Sequence, residues 1–222
     1  MGEWVQIAST KQQGYLAMPD KGTGPGVLVL HAWWGLTPDF TAVCDRLAEN
    51  GFVALAPGLY LGGATAATIP EAEALLTSQD EATVVGPIVH AAATELRNLA
   101  QVDYGPLGVI GFSMGAYWAL YLAQAFPEEF GAVVAVYGTN DGDFTASNAA
   151  FLGHFAEVDE YEPLEGVQAL EASVRNAGRE GTFHIYPGTR HWFFAPSRPE
   201  YDAAAADLVW ERTLAFLHQR LG

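Results

Sequence analysis

Gly108-Val109-Ile110-Gly111-Phe112-Ser113-Met114-Gly115-Ala116 is an apolar, strand-like run that ends in a serine and passes directly into a helical pattern over residues 114–125. Glycine stands two residues before the serine and two residues after it. A buried strand that turns at once into a helix crowds the backbone at the turning residue, and small residues at these two positions prevent a collision. The serine then stands at a helix N-terminus, where backbone N–H groups and the positive end of the helix dipole favour developing negative charge. Ser113 is therefore a candidate nucleophile, and the N–H of Met114 a candidate oxyanion donor.

The strand at 107–110 is one of a series. Continuous apolar runs bounded by turn signals recur at 27–31, 52–56, 132–136, 151–155 and 183–186, and two short strand-like runs, 4–8 and 14–18, precede them. Helical periodicity covers 40–50, 71–99 with a break expected near Pro87, 114–125, 164–177 and 201–221. Apolar strands alternating with helices predict an α/β fold with a mostly parallel central sheet and helices on both faces. No repeat, low-complexity linker or charge block divides the 222 residues, so one domain over 1–222 is expected. The Gly-rich connection at 61–65 has the composition of a loop or part of a lid.

The chain carries 10 basic and 26 acidic side chains, a formal charge of −16. Nucleic acid and anionic membrane surfaces are thereby excluded as partners, because each requires a basic face. A single cysteine, Cys44, precludes an intrachain disulfide and a cysteine-based metal cluster. No run approaches the roughly 18 apolar residues of a spanning helix, and no basic segment followed by an apolar run opens the chain. A cytoplasmic monomer or homodimer is expected. No close histidine pair shares a helix face, so neither a metal nor another cofactor is anticipated.

A serine needs a base to take its proton and a carboxylate to hold that base in the right tautomer. Of the later histidines, His154 and His184 fall within strand-like runs and His218 within the terminal helix, whereas His191 lies just beyond the run at 183–186. His191 is the candidate base. Two loops compete to supply the acid: Asp141 and Asp143 after 132–136, and Glu157, Asp159, Glu160 and Glu162 after 151–155. Asp159 is favoured, since its loop leaves the strand that precedes the one delivering His191. The loop His31-Ala32-Trp33-Trp34-Gly35 after the first central strand offers the N–H of Trp33 as a second oxyanion donor. Trp34, Tyr60, Tyr137 and Trp192 are candidates for an apolar substrate pocket.

Together with the serine turn, the 31–35 loop, Ala56-Pro57-Gly58-Leu59-Tyr60, Gly153-His154-Phe155-Ala156-Glu157-Val158-Asp159 and Tyr186-Pro187-Gly188-Thr189-Arg190-His191-Trp192-Phe193 make the chain resemble the dienelactone hydrolase family from about Gly14 onward. The resemblance implies an α/β-hydrolase fold with Asp159 as acid and His191 as base. It also exposes departures. Family members that open dienelactone use a cysteine nucleophile where this chain has Ser113, a thiol-activating glutamate where it has Ala32, and a carboxylate-binding arginine where it has Ala195. A second such arginine has no counterpart, because 52–95 contains no Lys or Arg. Small neutral carboxylic esters, cleaved through an acyl-enzyme, are the expected substrates, although Arg190 and Arg198 keep an anionic one open. Lactone or thioester hydrolysis by the same triad is the alternative, and a non-catalytic ligand-binding hydrolase fold is the rival outside enzymology.

Overall fold

The computed structural model describes residues 1–7 and 10–222 as two compact units, 1–107 and 108–222. The strand-like run expected at 4–8 appears as β1 (Glu3–Gln6), and its end at Ala8 lies outside the described residues.

In the first unit β2 (Gln13–Ala17) pairs antiparallel with β1 and with β4 (Val53–Pro57), while β3 (Gly26–Leu30) pairs parallel with β4, giving the order β1-β2-β4-β3. Every residue of β3 and β4 is buried, which explains why both read as unbroken apolar runs. Helix α1 (Pro38–Glu49) makes the crossover between them and buries Phe40, Val43, Cys44, Leu47 and Ala48. The helical pattern expected over 71–99 is two α-helices, α2 (Ile69–Thr77) and α3 (Gly86–Asn98), with one π turn at Glu81–Val85. The break falls before Asp80, whose carboxylate accepts the N–H of Thr83, and not at Pro87. Pro87 sits in the first turn of α3, where its missing N–H costs no internal hydrogen bond.

The second unit has the order β5-β6-β7-β8. It contains β5 (Leu107–Phe112), α4 (Met114–Ala125), β6 (Phe130–Val136), β7 (Ala150–Val158), α5 (Leu164–Asn176), β8 (Gly181–Arg190) and α6 (Ala203–Leu221). The pairs β6–β7 and β7–β8 are parallel, each bridged by helix or loop crossovers as parallel strands demand. β7 and β8 both run further than their apolar cores predicted. Their extensions carry the acid and the base candidates to the same edge.

Among the described residues no helix is long and apolar enough to cross a membrane.

Candidate active site

Ser113 is the residue between β5 and α4. Its φ of 51° and ψ of −116° place it in a conformation that L-residues rarely adopt. Its N–H donates to Val136 O at 2.9 Å, and its carbonyl accepts from Ala116 N at 2.8 Å, so both sides of the turn are held. A Cβ added to Gly111 would stand 2.1 Å from the carbonyl oxygen of Gly115. The two flanking glycines are thus in contact, and that contact permits the turn. Gly138, which the sequence reading did not single out, has the same role from the loop after the next strand, because a Cβ there would stand 2.4 Å from Ser113 O.

His191 follows β8 directly. The segment 187–190 is a bulge inside the strand and not a loop beyond it: Ala156 pairs with Tyr186 and Val158 with Arg190, so four steps along β8 oppose two along β7. Gly188, at φ 74°, makes the excursion, and its N–H donates to Glu157 Oε2 at 2.8 Å. Thr189 Oγ1 closes the other side on Tyr186 O at 2.8 Å. Pro187 is tolerated because β8 is the last strand in the order and the bulge uses no ladder N–H at that point. The bulge aims His191 at the serine.

Ser113 Oγ lies 3.0 Å from His191 Nε2, and His191 Nδ1 lies 2.7 Å from Asp159 Oδ2. A carboxylate on Nδ1 selects the tautomer protonated there and leaves Nε2 free to accept the serine proton. The other oxygen of Asp159, Oδ1, accepts the N–H groups of both Tyr161 and Glu162 at 2.9 Å. The side chains of His191 and Asp159 are 4% and 3% exposed, which places their hydrogen bond out of water, where it is electrostatically strengthened. Asp141 and Asp143 take no part in this arrangement. Asp143 instead accepts the N–H of Thr145 two residues on.

Aromatic rings enclose the imidazole. Tyr137 and Tyr161 each approach with ring centroids 4.9 Å away, and Trp192 at 5.1 Å. Tyr137 is fully buried at φ 39°, with its N–H on His154 O at 2.8 Å. Tyr137 and Trp192 were pocket candidates from the sequence, whereas Tyr161 was missed. The only signal for it was its place two residues after Asp159. Arg198 lies over the Trp192 ring at 5.2 Å.

Trp33, Trp34 and Tyr60 belong to the first unit. The Trp33 and Trp34 rings meet edge to face at 5.6 Å, and Tyr60 packs on His31 at 5.7 Å. His31 ties the loops after β3 and β4 together: its Nε2 accepts Leu59 N–H at 3.0 Å and its Nδ1 donates to Ala32 O at 2.6 Å. Burial lowers the His31 pKa to about 4 and pushes the Tyr60 phenol up. His154 and His184, set aside as packed histidines, are stacked on each other, and His154 is completely buried between Tyr186 Oη at 2.8 Å and Thr213 Oγ1 at 3.1 Å. Among the described residues no three His, Cys, Asp or Glu side chains converge as metal ligands.

The profile of the dienelactone hydrolase family matches residues 12–221. The protein usf of Aquifex pyrophilus is 33% identical over 232 residues, with both chains covered completely. A protein of Aquifex aeolicus, provisionally named a carboxymethylenebutenolidase, is 32% identical, with 97% of each chain covered. A crystal structure from Klebsiella pneumoniae, provisionally named a dienelactone hydrolase, superposes with a TM-score of 0.87 at 26% identity, covering 99% of this chain and 98% of that one. The chain belongs to the dienelactone hydrolase family and is an α/β-hydrolase enzyme acting on esters.

Proposed function

We propose that the chain is a serine hydrolase of small, neutral carboxylic esters that works through an acyl-enzyme. The observation that carries this reading is the unbroken relay from Ser113 Oγ to His191 Nε2 at 3.0 Å and from His191 Nδ1 to Asp159 Oδ2 at 2.7 Å. His191 takes the Ser113 proton as the Oγ electron pair forms a bond to the ester carbonyl carbon, and the carbonyl electrons move to oxygen. The N–H of Met114, at the head of α4, stabilises that oxyanion. Trp33 enters as the second donor from the sequence pattern alone. His191 then protonates the leaving alkoxide, and water repeats the sequence on the acyl group. Neutral substrates are preferred because the charge is −16 and Ala195 stands where dienelactone-opening members carry a carboxylate-binding arginine.

A second reading, hydrolysis of a lactone by the same triad, is favoured by the carboxymethylenebutenolidase name of the Aquifex aeolicus relative. Relative kcat/KM across p-nitrophenyl esters, lactones and thioesters separates the two. Under the proposal, Ser113→Ala lowers kcat on p-nitrophenyl butyrate by several powers of ten, on the order of 10⁴ or more. It also abolishes covalent labelling by a fluorophosphonate. A Ser113→Ala protein that keeps most of its turnover refutes the mechanism.

A further inference from the structure

Glu162 stands three residues beyond Asp159 on the same loop. Its backbone N–H donates to Asp159 Oδ1 at 2.9 Å, and its side chain accepts a 2.7 Å hydrogen bond from Thr139 Oγ1. Thr139 follows Tyr137, which packs on the His191 ring, and Gly138, which packs on the serine turn. One carboxylate therefore bridges the loops after β6 and β7 where both close on His191. Burial pushes the Glu162 carboxyl above its ordinary range and the neighbouring Asp159 opposes its ionisation, whereas the Thr139 hydroxyl and the His191 imidazole favour the ionised form.

Resting on the Ser113–His191 reading above, we propose that Glu162 is a positioning residue: it holds a second negative charge beside His191 and clamps the acid loop to the β6 loop through Thr139. Above the raised titration range of the Glu162 carboxyl, the imidazolium formed when the Ser113 proton passes to Nε2 has Asp159 on Nδ1 and the Glu162 charge alongside. The groups facing His191 are Ser113 from the turn, Tyr137 from the β6 loop, and Asp159, Tyr161 and Glu162 from the β7 loop. On its own segment it is Trp192, with Arg198 over the Trp192 ring, and Arg190 is the residue that precedes His191 in the chain. Glu160 and Glu165, which flank Glu162 along the chain, are exposed.

Glu162→Gln keeps the volume and the acceptor for Thr139 but removes the charge. An imidazole that loses a neighbouring anion releases its proton at lower pH, so the acidic limb of kcat/KM on p-nitrophenyl butyrate moves down by about 0.5–1 pH unit. The plateau kcat falls roughly three- to tenfold, with KM held within about twofold. Glu162→Asp, which keeps a carboxylate, returns the limb toward the wild-type position. The imidazole resonances of His191, assigned by their loss in His191→Ala, titrate with the same displacement whatever the enzyme's substrate. If Ser113→Ala retains its turnover while those resonances still shift in Glu162→Gln, the ester mechanism fails and the charge coupling stands. A folded Glu162→Gln protein whose limb and resonances stay within about 0.2 unit of wild type overturns the proposal. Should Glu162→Gln not fold, Thr139→Val, which removes the hydroxyl favouring the ionised carboxylate, decides the matter: the limb moves in the same direction, and an unmoved limb overturns the proposal.

Discussion

Ser113, Tyr137 and Trp192 are the described non-glycine residues at positive φ, at 51°, 39° and 65°, and all three border the imidazole of His191. Each such conformation costs on the order of 1–3 kcal/mol and persists only where its surroundings over-determine it. Ser113 is held by Val136 and Ala116, Tyr137 by His154, and Trp192 by the turn in which Phe193 N–H donates to Arg190 O. The strain at Ser113 was legible in advance, because the two glycines that relieve it are close in sequence. Nothing local marks Tyr137 or Trp192, since a bulky residue is forced to positive φ by partners distant along the chain. Gly111→Ala should bring the added methyl against the Gly115 carbonyl, 2.1 Å away without relaxation. The expected outcome is a loss of about 1–3 kcal/mol in urea unfolding. A roughly 100-fold fall in kcat accompanies it, as the serine leaves its aligned position.

The β7–β8 pair shows why element boundaries carry the function. The apolar cores at 151–155 and 183–186 were visible as strands, but the extensions to Val158 and Arg190, just short of Asp159 and His191, were not, because bulge pairing and not hydrophobic burial satisfies their backbone. Glu157 closes that bulge by accepting Gly188 N–H. The far side of the base segment is anchored by α6: Asp202 N–H donates to Phe193 O at 2.9 Å, and the Asp202 carboxylate caps the helix by accepting Ala205 N–H at 2.9 Å. Asp202→Ala should remove the cap while sparing the backbone anchor. The protein then loses about 1 kcal/mol, seen as a lower urea midpoint, with kcat unchanged within about twofold.

Acid sensitivity belongs to the chain as a whole, since each unit buries a neutral histidine. Burial depresses His31 in the first unit to about 4 and holds His154 in the second well below its ordinary value. The unfolded chain binds a proton at each of these sites below about 6.5, whereas the folded chain does not, so stability is full above that pH and declines as pH falls toward about 4. For His31 the displacement from 6.5 to about 4 corresponds to about 3 kcal/mol. Urea unfolding across this window should show the decline, and His31→Gln should make it shallower. An unchanged slope in that variant would remove His31 from the account.

The glycine-flanked serine and the alternation of buried strands with helices were readable from residues near one another, because turns, periodicity and burial are written at short spacing; the order of serine, acid and histidine was the one expected of the fold. The choice of Asp159 over Asp141, Asp143 and its neighbouring glutamates was favoured by strand order. It became a contact only where Asp159 meets a histidine 32 residues away, which in turn meets a serine 78 residues from it. The bulge, the strained aromatics and the Glu162–Thr139 clamp have no local signature either. They arise where separate loops compete for one space, and packing between distant segments sets the outcome.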